Sequence, residues 1–180
     1  GTSIGEFPWQ ISIFSVGAGG QLGAQRCGGS VVAGRWVLTA AHCIEDLVPT
    51  DPSPIAVYFG STSLEAGGQV VDVETIYAHP DYLGVGSDDI ALLELATAID
   101  VPSVRLASGR EARDLEVEGA LAIVTGWGNT PGSRELSGTV GEKGGESSVQ
   151  SVDVFDTSAL LLGALVPVVD NGLCDERGDD

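Results

Sequence analysis

The chain has 180 residues, of which 43% are hydrophobic and 26 are glycine, a composition typical of a compact globular domain with many turns. Its 26 acidic residues outnumber its 8 basic residues, so the formal net charge at pH 7 is -18. A charge of this sign repels nucleic acid phosphates and anionic membrane surfaces, which argues against binding to either.

Short segments rich in valine and isoleucine, several of them with alternating apolar positions, predict strands along most of the chain. In chain order they are ISIFSV, GSVVAGRWVLTA, PIAVYFG, QVVDVETIYA, DIALLELA, LAIVTGWG and LVPVV. The turn signals AGGQLGAQ, PTDPSP and HPDYLGVGSDD separate them. Only two short helical turns are predicted, one at AAHCIED and one that begins at Asp170. The predicted fold class is therefore all-β, a barrel or sandwich of many short strands.

Two irregular stretches interrupt the strand pattern. The first, from about Thr97 to Glu118, is charged and weakly periodic, and it is predicted to connect two β units. The second, from about Pro131 to Ser151, is rich in Gly, Ser and Glu and is predicted to be a long exposed loop. The longest apolar run, Ala159 to Val169, is too short to span a bilayer, so we expect no membrane-spanning segment.

One of only two histidines, His42, stands directly beside Cys43 at the end of an apolar run. A strand, a turn and a returning strand separate Cys27 from Cys43, a spacing that brings two sulfurs within bridging distance. Closing a loop of about fifteen residues stabilises a fold by roughly 3 kcal/mol in the entropic model. Asp89 stands at the start of the apolar strand DIALLELA, where an ionised carboxylate is costly unless it is paired. An imidazole N–H is a suitable partner, so we expect His42 and Asp89 to meet.

Seven motifs occur in an order and spacing that resemble those of the trypsin-like serine proteases, the chymotrypsin-fold peptidase family S1. They are GEFPWQISI, CGGSVV, WVLTAAHC, HPDY, DIALLEL, VTGWG and PVVDNGLC, and they extend from Gly5 to Cys174. The resemblance implies an all-β, two-barrel fold with a complete first barrel over residues 1–96 and an inter-barrel linker over 97–118. An incomplete second barrel would occupy residues 119–180. It also implies a protein that is secreted, extracellular or periplasmic, and made as a zymogen.

By the same resemblance, His42 is the general base that takes a proton from a nucleophilic serine. Asp89 accepts the other ring N–H and holds the productive tautomer. Asp88 is the competing carboxylate, but neighbouring residues of an extended strand point to opposite faces, so we expect Asp88 to be solvated. His79 is interpreted as part of a surface turn, and Trp127 as an aromatic residue packed at a strand end.

No serine in the sequence lies in a G-D-S-G or G-x-S-x-G setting, although the family carries its nucleophile in G-D-S-G-G. The resemblance thus implies a chain trimmed at both ends, with the serine and a partner for Cys174 beyond Asp180. Residues 1–180 alone are predicted to be inactive.

The implied partners are protein or peptide substrates and protein inhibitors, and we expect a monomer. No cofactor or metal is predicted, because neither Cys-x-x-Cys nor His-Glu-x-x-His spacing occurs. The alternative is a non-catalytic serine protease homologue that acts as a binding or regulatory module. The residue at the serine position would separate that alternative from the enzyme.

Overall fold

The structure is a computed structural model that describes residues 5–47, 54–84, 88–115, 117–128 and 159–168. Over these ranges the elements are eight strands, one 3-10 helix and one α-helix. The strands are β1 (Gln10–Val16), β2 (Leu22–Ala33), β3 (Trp36–Thr39), β4 (Ile55–Phe59), β5 (Gln69–Ala78), β6 (Ala91–Leu95), β7 (Leu121–Gly126) and β8 (Leu162–Pro167). The 3-10 helix is Ala41–Cys43 and the α-helix, α1, is Gly109–Leu115. The prediction of an all-β fold with little helix is confirmed.

Strands β1 to β6 form a closed antiparallel barrel in the order β1-β2-β3-β6-β5-β4, and β4 pairs back onto β1. The apolar alternation seen in the sequence of β6 becomes an alternation of buried and half-buried side chains. Aliphatic side chains with no exposed surface fill the interior: Ile11, Ile13, Val31, Val37, Val57, Leu93 and Leu95. Burial of each such side chain stabilises the fold by about 1.5–3 kcal/mol.

The hairpin between β1 and β2 is shorter than the sequence predicted. The segment AGGQLGAQ was expected to be a turn throughout, but β2 already begins at Leu22. The turn itself is closed by the N–H of Gly17, which donates to the carbonyl of Gln21 at 2.9 Å. Gly19 and Gly20 have φ values of 95° and 78°, and only glycine adopts this region at little cost.

β2 contains a β-bulge at Arg26. Ile13 of β1 is opposite Cys27, and the next residue of β1, Phe14, is opposite Gln25. Arg26 is therefore an extra residue that has no counterpart on β1. In a bulge of this kind, the side chain of the extra residue, here Arg26, points away from the direction that regular strand alternation would give.

The segment predicted as a connector contains the short helix α1, which the sequence did not predict. No residue of α1 is buried, so the helix leaves no apolar periodicity in the sequence. Polar contacts accompany it instead: the guanidinium of Arg105 donates to both carboxylate oxygens of Glu111. Arg110 and Asp114, four residues apart, form an ion pair at 3.7 Å.

Strands β7 and β8 form a separate antiparallel pair, in which Leu121 is opposite Pro167. Trp127, directly after β7, has only 1% of its surface exposed and donates its indole N–H to the carbonyl of Thr62 at 2.8 Å. Thr125 donates its hydroxyl to the side-chain oxygen of Gln10 at 2.6 Å. These contacts attach the β7–β8 pair to the barrel, and Trp127 has the packing role expected from the sequence.

Three sequence predictions lie outside the described residues: the loop from Pro131 to Ser151, the helical turn at Asp170, and Cys174. Within the described part of the chain, no helix is both long enough and apolar enough to cross a membrane.

Candidate active site

His42 and Asp89 lie at the same end of the β3–β6 seam, the line along which strands β3 and β6 pair. β3 and β6 are antiparallel neighbours, and Thr39, the last residue of β3, is opposite Ala91, the first residue of β6. His42 follows Thr39 on the 3-10 helix, and Asp89 precedes Ala91. The pairing of these two strands therefore brings together residues that are 47 positions apart in the chain.

Asp89 contacts His42 through both of its carboxylate oxygens. Oδ2 lies 2.7 Å from the ring Nδ1, and Oδ1 accepts the backbone N–H of His42 at 2.8 Å. An ionised carboxylate can only accept hydrogen bonds, so Nδ1 carries the proton and the lone pair of the neutral ring is on Nε2. The hydrogen bond from the ring lowers the pKa of Asp89, and the backbone hydrogen bond from His42 lowers it further. Asp89 therefore remains ionised as a fixed acceptor for the ring.

The free side of the His42 ring faces an open cleft. Its side chain is 47% exposed, against 26% for Asp89. The cleft has a volume of about 260 Å³ and is lined by Arg26, Cys27, His42 and Cys43. Among the described residues, the polar neighbours of Nε2 are the two cysteine sulfurs, at 3.5 and 3.9 Å. The nitrogen that carries the lone pair is thus open to a proton donor entering from the cleft.

Cys27 and Cys43 are joined by a disulfide, with their Cα atoms 6.0 Å apart. This bond links β2 to the residue that directly follows His42. It fixes the backbone at the end of the 3-10 helix, which is the part of the chain that sets the position of the imidazole.

The competing carboxylate and the second histidine lie in a neighbouring turn. The Asp88 side chain is exposed, in agreement with the sequence interpretation. The backbone N–H of His79 donates to Ile90, and its ring Nδ1 accepts the backbone N–H of Asp81 at 3.3 Å. Potential ligand atoms of His79, Asp81 and Asp88 lie within 4.8 Å of one another, a proximity that no sequence spacing indicated. The contacts of His79 are those of a surface turn, which is the role expected from the sequence.

Sequence reasoning missed two polar contacts that surround the pair. Tyr82 donates its hydroxyl to the carboxylate of Glu45 at 2.6 Å. This bond, with burial and the negative charges of Glu45 and Asp89, raises the pKa of Tyr82 to about 12. Arg26 donates its Nε–H to the carbonyl of Cys43 at 3.3 Å and forms an ion pair with Asp46. Both contacts join segments distant in the chain, so local patterns could not reveal them.

Comparison with known proteins identifies the family of the chain. The family model described as "Trypsin" matches residues 1–178. The chain belongs to the trypsin family of serine proteases. A trypsin of Simulium vittatum is 38% identical over 133 residues, which cover 72% of this chain and 51% of that protein. Trypsin 5G1 of Aedes aegypti is 35% identical over 136 residues, which cover 74% and 48%.

The chain thus spans about half the length of these two trypsins. Transmembrane protease serine 9 of Rattus norvegicus is 37% identical over 129 residues, or 71% of this chain and 12% of that protein. Among solved structures, HL collagenase superposes with a TM-score of 0.66 at 27% identity, covering 97% of this chain and 64% of its own. The fold is accordingly the chymotrypsin-like two-barrel fold, with a closed first barrel and a partial second sheet. The predicted residue limits of barrel, linker and second unit stay predictions.

Proposed function

We propose that this trypsin-family chain supplies the histidine and the aspartate of a serine endopeptidase that hydrolyses peptide bonds in proteins. The observation that carries the proposal is the double contact of Asp89 with the ring and the backbone of His42. A carboxylate that binds both groups fixes the ring in one tautomer and one orientation, as a general base requires.

In the proposed mechanism, Nε2 of His42 takes the proton of a serine hydroxyl as that oxygen attacks the scissile carbonyl. The same nitrogen then gives the proton to the leaving amine. Asp89 stays ionised, stabilises the imidazolium by its charge and keeps Nδ1 as a donor; its lowered pKa is consistent with this role. These roles are those of the serine protease triad, assigned to the residues that match it.

The nucleophile is the part of the triad that residues 1–180 do not supply. No serine of the sequence stands in a G-D-S-G or G-x-S-x-G setting. We therefore propose that these residues alone are inactive, because without an oxygen nucleophile His42 has no proton to accept and no covalent intermediate forms.

The compartment and the partners complete the proposal. A disulfide persists in oxidising surroundings, so the Cys27–Cys43 bond favours a secreted, extracellular or periplasmic protein. Membership of the trypsin family favours synthesis as a zymogen. Its partners would be protein substrates and protein inhibitors of the enzyme, and it would act as a monomer.

A second candidate is a non-catalytic homologue that keeps the fold as a binding or regulatory module. This candidate requires a residue other than serine at the nucleophile position of the full-length protein. The intact His42–Asp89 contact favours the enzyme.

A serine-directed fluorophosphonate distinguishes the two functions. We expect the full-length natural protein, after proteolytic activation of its zymogen, to be labelled and to hydrolyse denatured casein, and residues 1–180 to remain unlabelled. His42→Ala in the full-length protein should abolish labelling, whereas the matched control His79→Ala should retain it because His79 belongs to a surface turn. A full-length protein that is folded and proteolytically processed but neither labelled nor proteolytic would overturn the protease proposal in favour of the binding module.

A further inference from the structure

The segment that carries His42 is too short to be stable alone. The 3-10 helix has three residues, and its N-cap residue, Ala40, makes no side-chain capping bond. Its backbone is closed by two hydrogen bonds, from Cys43 to Ala40 at 3.3 Å and from Ile44 to Ala41 at 3.0 Å. A single turn of this kind costs more conformational entropy than its hydrogen bonds return. The direction of the imidazole therefore depends on contacts with the rest of the barrel.

The bulge in β2 directs two consecutive side chains toward this turn. In a regular strand, successive side chains point to opposite faces, so only one of Arg26 and Cys27 would reach it. Because Arg26 is the extra residue of the bulge, both residues contact the segment from Cys43 to Asp46. Bulges are common next to active sites, where they redirect a side chain.

Arg26 bonds to two points of that segment with different nitrogens. Its Nε–H donates to the carbonyl of Cys43 at 3.3 Å, and its Nη2 pairs with Asp46. The Cys43 carbonyl belongs to the last residue of the 3-10 helix, where a cationic donor satisfies a group that the short helix leaves without a partner. The Arg26 side chain is 27% exposed and that of Asp46 is 59% exposed, so the ion pair faces water and the part-buried bond to the Cys43 carbonyl is the better shielded of the two contacts.

We propose that Arg26 is a positioning residue for His42. It holds the turn at Cys43 and Asp46 so that both hydrogen bonds to Asp89 persist, and it does so independently of the Cys27–Cys43 disulfide. The importance of this role for catalysis rests on the proposed function, but the geometry itself does not. The turn thus has two attachments to β2, a covalent one and a polar one, from adjacent residues.

Hydrogen exchange of the His42 backbone N–H tests the proposal directly, because that group donates to Asp89. In Arg26→Gln, we expect this amide to exchange faster by on the order of tenfold, while buried barrel amides such as those of Val37 and Leu93 are unchanged. The downfield proton signal of Nδ1 bonded to a carboxylate should weaken in parallel. Arg26→Lys should be intermediate, because one ammonium cannot bond to both Cys43 and Asp46 in the way that a guanidinium does.

Arg105→Gln is the matched control, since Arg105 also pairs with a carboxylate but lies in the connector before α1. It should leave the His42 amide unchanged. If Arg26→Gln leaves His42 exchange at the wild-type rate, or accelerates Val37 and Leu93 equally, Arg26 does not act on this turn and the proposal is wrong.

The disulfide is tested separately with Cys27→Ser/Cys43→Ser. We expect the downfield proton signal of His42 Nδ1 to persist in this double variant and to disappear when Arg26→Gln is added to it. Loss of the signal while Arg26 is intact would show that the disulfide alone positions His42, which would also overturn the proposal. None of these measurements depends on a nucleophile, so a failure here is distinct from a failure of the protease assignment.

Discussion

The barrel and the β7–β8 pair are built from similar apolar sequences but bury them very differently. Leu93 in β6 has no exposed surface, whereas Leu165 in β8 is 65% exposed. On β7, Leu121 and Ile123 are 70% and 56% exposed. Apolar alternation therefore predicts that a segment is a strand, but the number of neighbouring strands decides how much of it is buried. The barrel closes on itself, and within the described residues the second sheet has two strands.

This difference also determines where the chemistry resides. Among the described residues, every hydrogen-bond partner of His42 and Asp89 belongs to the barrel or its loops. The geometry of the pair is thus a property of the closed barrel. The β7–β8 pair contacts the barrel elsewhere, through Trp127 and Thr125.

The largest expected difference in the free energy of unfolding comes from the same substitution, leucine to alanine, made once in the barrel and once in the β7–β8 pair. Leu93→Ala should lower the free energy of unfolding by about 2–5 kcal/mol, because it opens a cavity in a closed core. Leu165→Ala should change it by no more than about 0.5 kcal/mol, because the side chain is already largely solvated. Urea unfolding monitored by circular dichroism measures both values. Equal losses at the two positions would show that β8 is packed as tightly as β6.

Opening the disulfide should have the next largest effect. Cys27→Ser/Cys43→Ser should lower the free energy of unfolding by about 3 kcal/mol, because the unfolded chain regains the entropy of a loop of about fifteen residues. The same unfolding experiment without reductant, with the wild type as reference, measures the loss. A change below about 1 kcal/mol would mean that other contacts already restrict this loop when the chain is unfolded.

A pair of glycines compares the backbone packing of the two regions. A Cβ at Gly29 in β2 would lie 2.8 Å from the carbonyl oxygen of Leu38, a backbone atom that cannot move without disturbing β3. A Cβ at Gly126 in β7 would have its nearest neighbour at 4.0 Å. We expect Gly29→Ala to destabilise by about 1–3 kcal/mol. Gly126→Ala should be neutral or stabilise by up to about 1 kcal/mol through the unfolded state. Thermal unfolding of both variants checks the order, which a larger loss at Gly126 would contradict.

The smallest expected effect is on the stability of the fold at acidic pH. Hydrogen bonds from His42 hold the pKa of Asp89 below its usual value, so this carboxylate stabilises the fold above the pKa of an unfolded aspartate, about 3.9. The contribution is lost as pH falls through the lower folded value. Asp89→Asn should therefore lose less stability than the wild type between about pH 4 and pH 2.

Melting temperatures across this range measure the difference between the two chains. The pKa of Glu111 is also lowered, by its hydrogen bond to Arg105, and Glu111→Gln provides the comparison outside the barrel. If the melting temperatures of Asp89→Asn and the wild type fall equally between about pH 4 and pH 2, the ionisation of Asp89 contributes nothing to stability.

Sequence patterns predicted the elements whose burial follows a simple period. The segment QVVDVETIYA coincides with β5, Gln69–Ala78, because its alternation reflects a strand with one buried face. The start of β2 was missed, since its first residues are exposed and glycine-rich and depend on pairing with β1. The helix α1 was missed because it buries nothing.

The same distinction applies to the candidate site. His42 and Asp89 were expected to meet because a carboxylate at the start of an apolar strand needs a partner such as an imidazole N–H. Their catalytic roles come from the family motifs and stay predictions. Arg26 belongs to no motif, and Tyr82 is the last residue of HPDY but was given no role from the sequence. Each contacts a partner that only the folded chain brings near. A bulge in particular cannot be read from composition, because it is defined by the register of two strands.

The seam between β3 and β6 has a consequence for the order of events during folding. β1, β2 and β3 pair as successive hairpins, whereas β3 and β6 pair residues more than fifty positions apart, such as Trp36 and Glu94. Contacts of long sequence separation pay a larger loop-closure entropy and tend to form late. His42 and Asp89 flank this seam, so they meet only when it closes. A nascent chain therefore has no aligned histidine–aspartate pair until β6 has been synthesised and has docked, and a partly folded intermediate with an open seam lacks the pair.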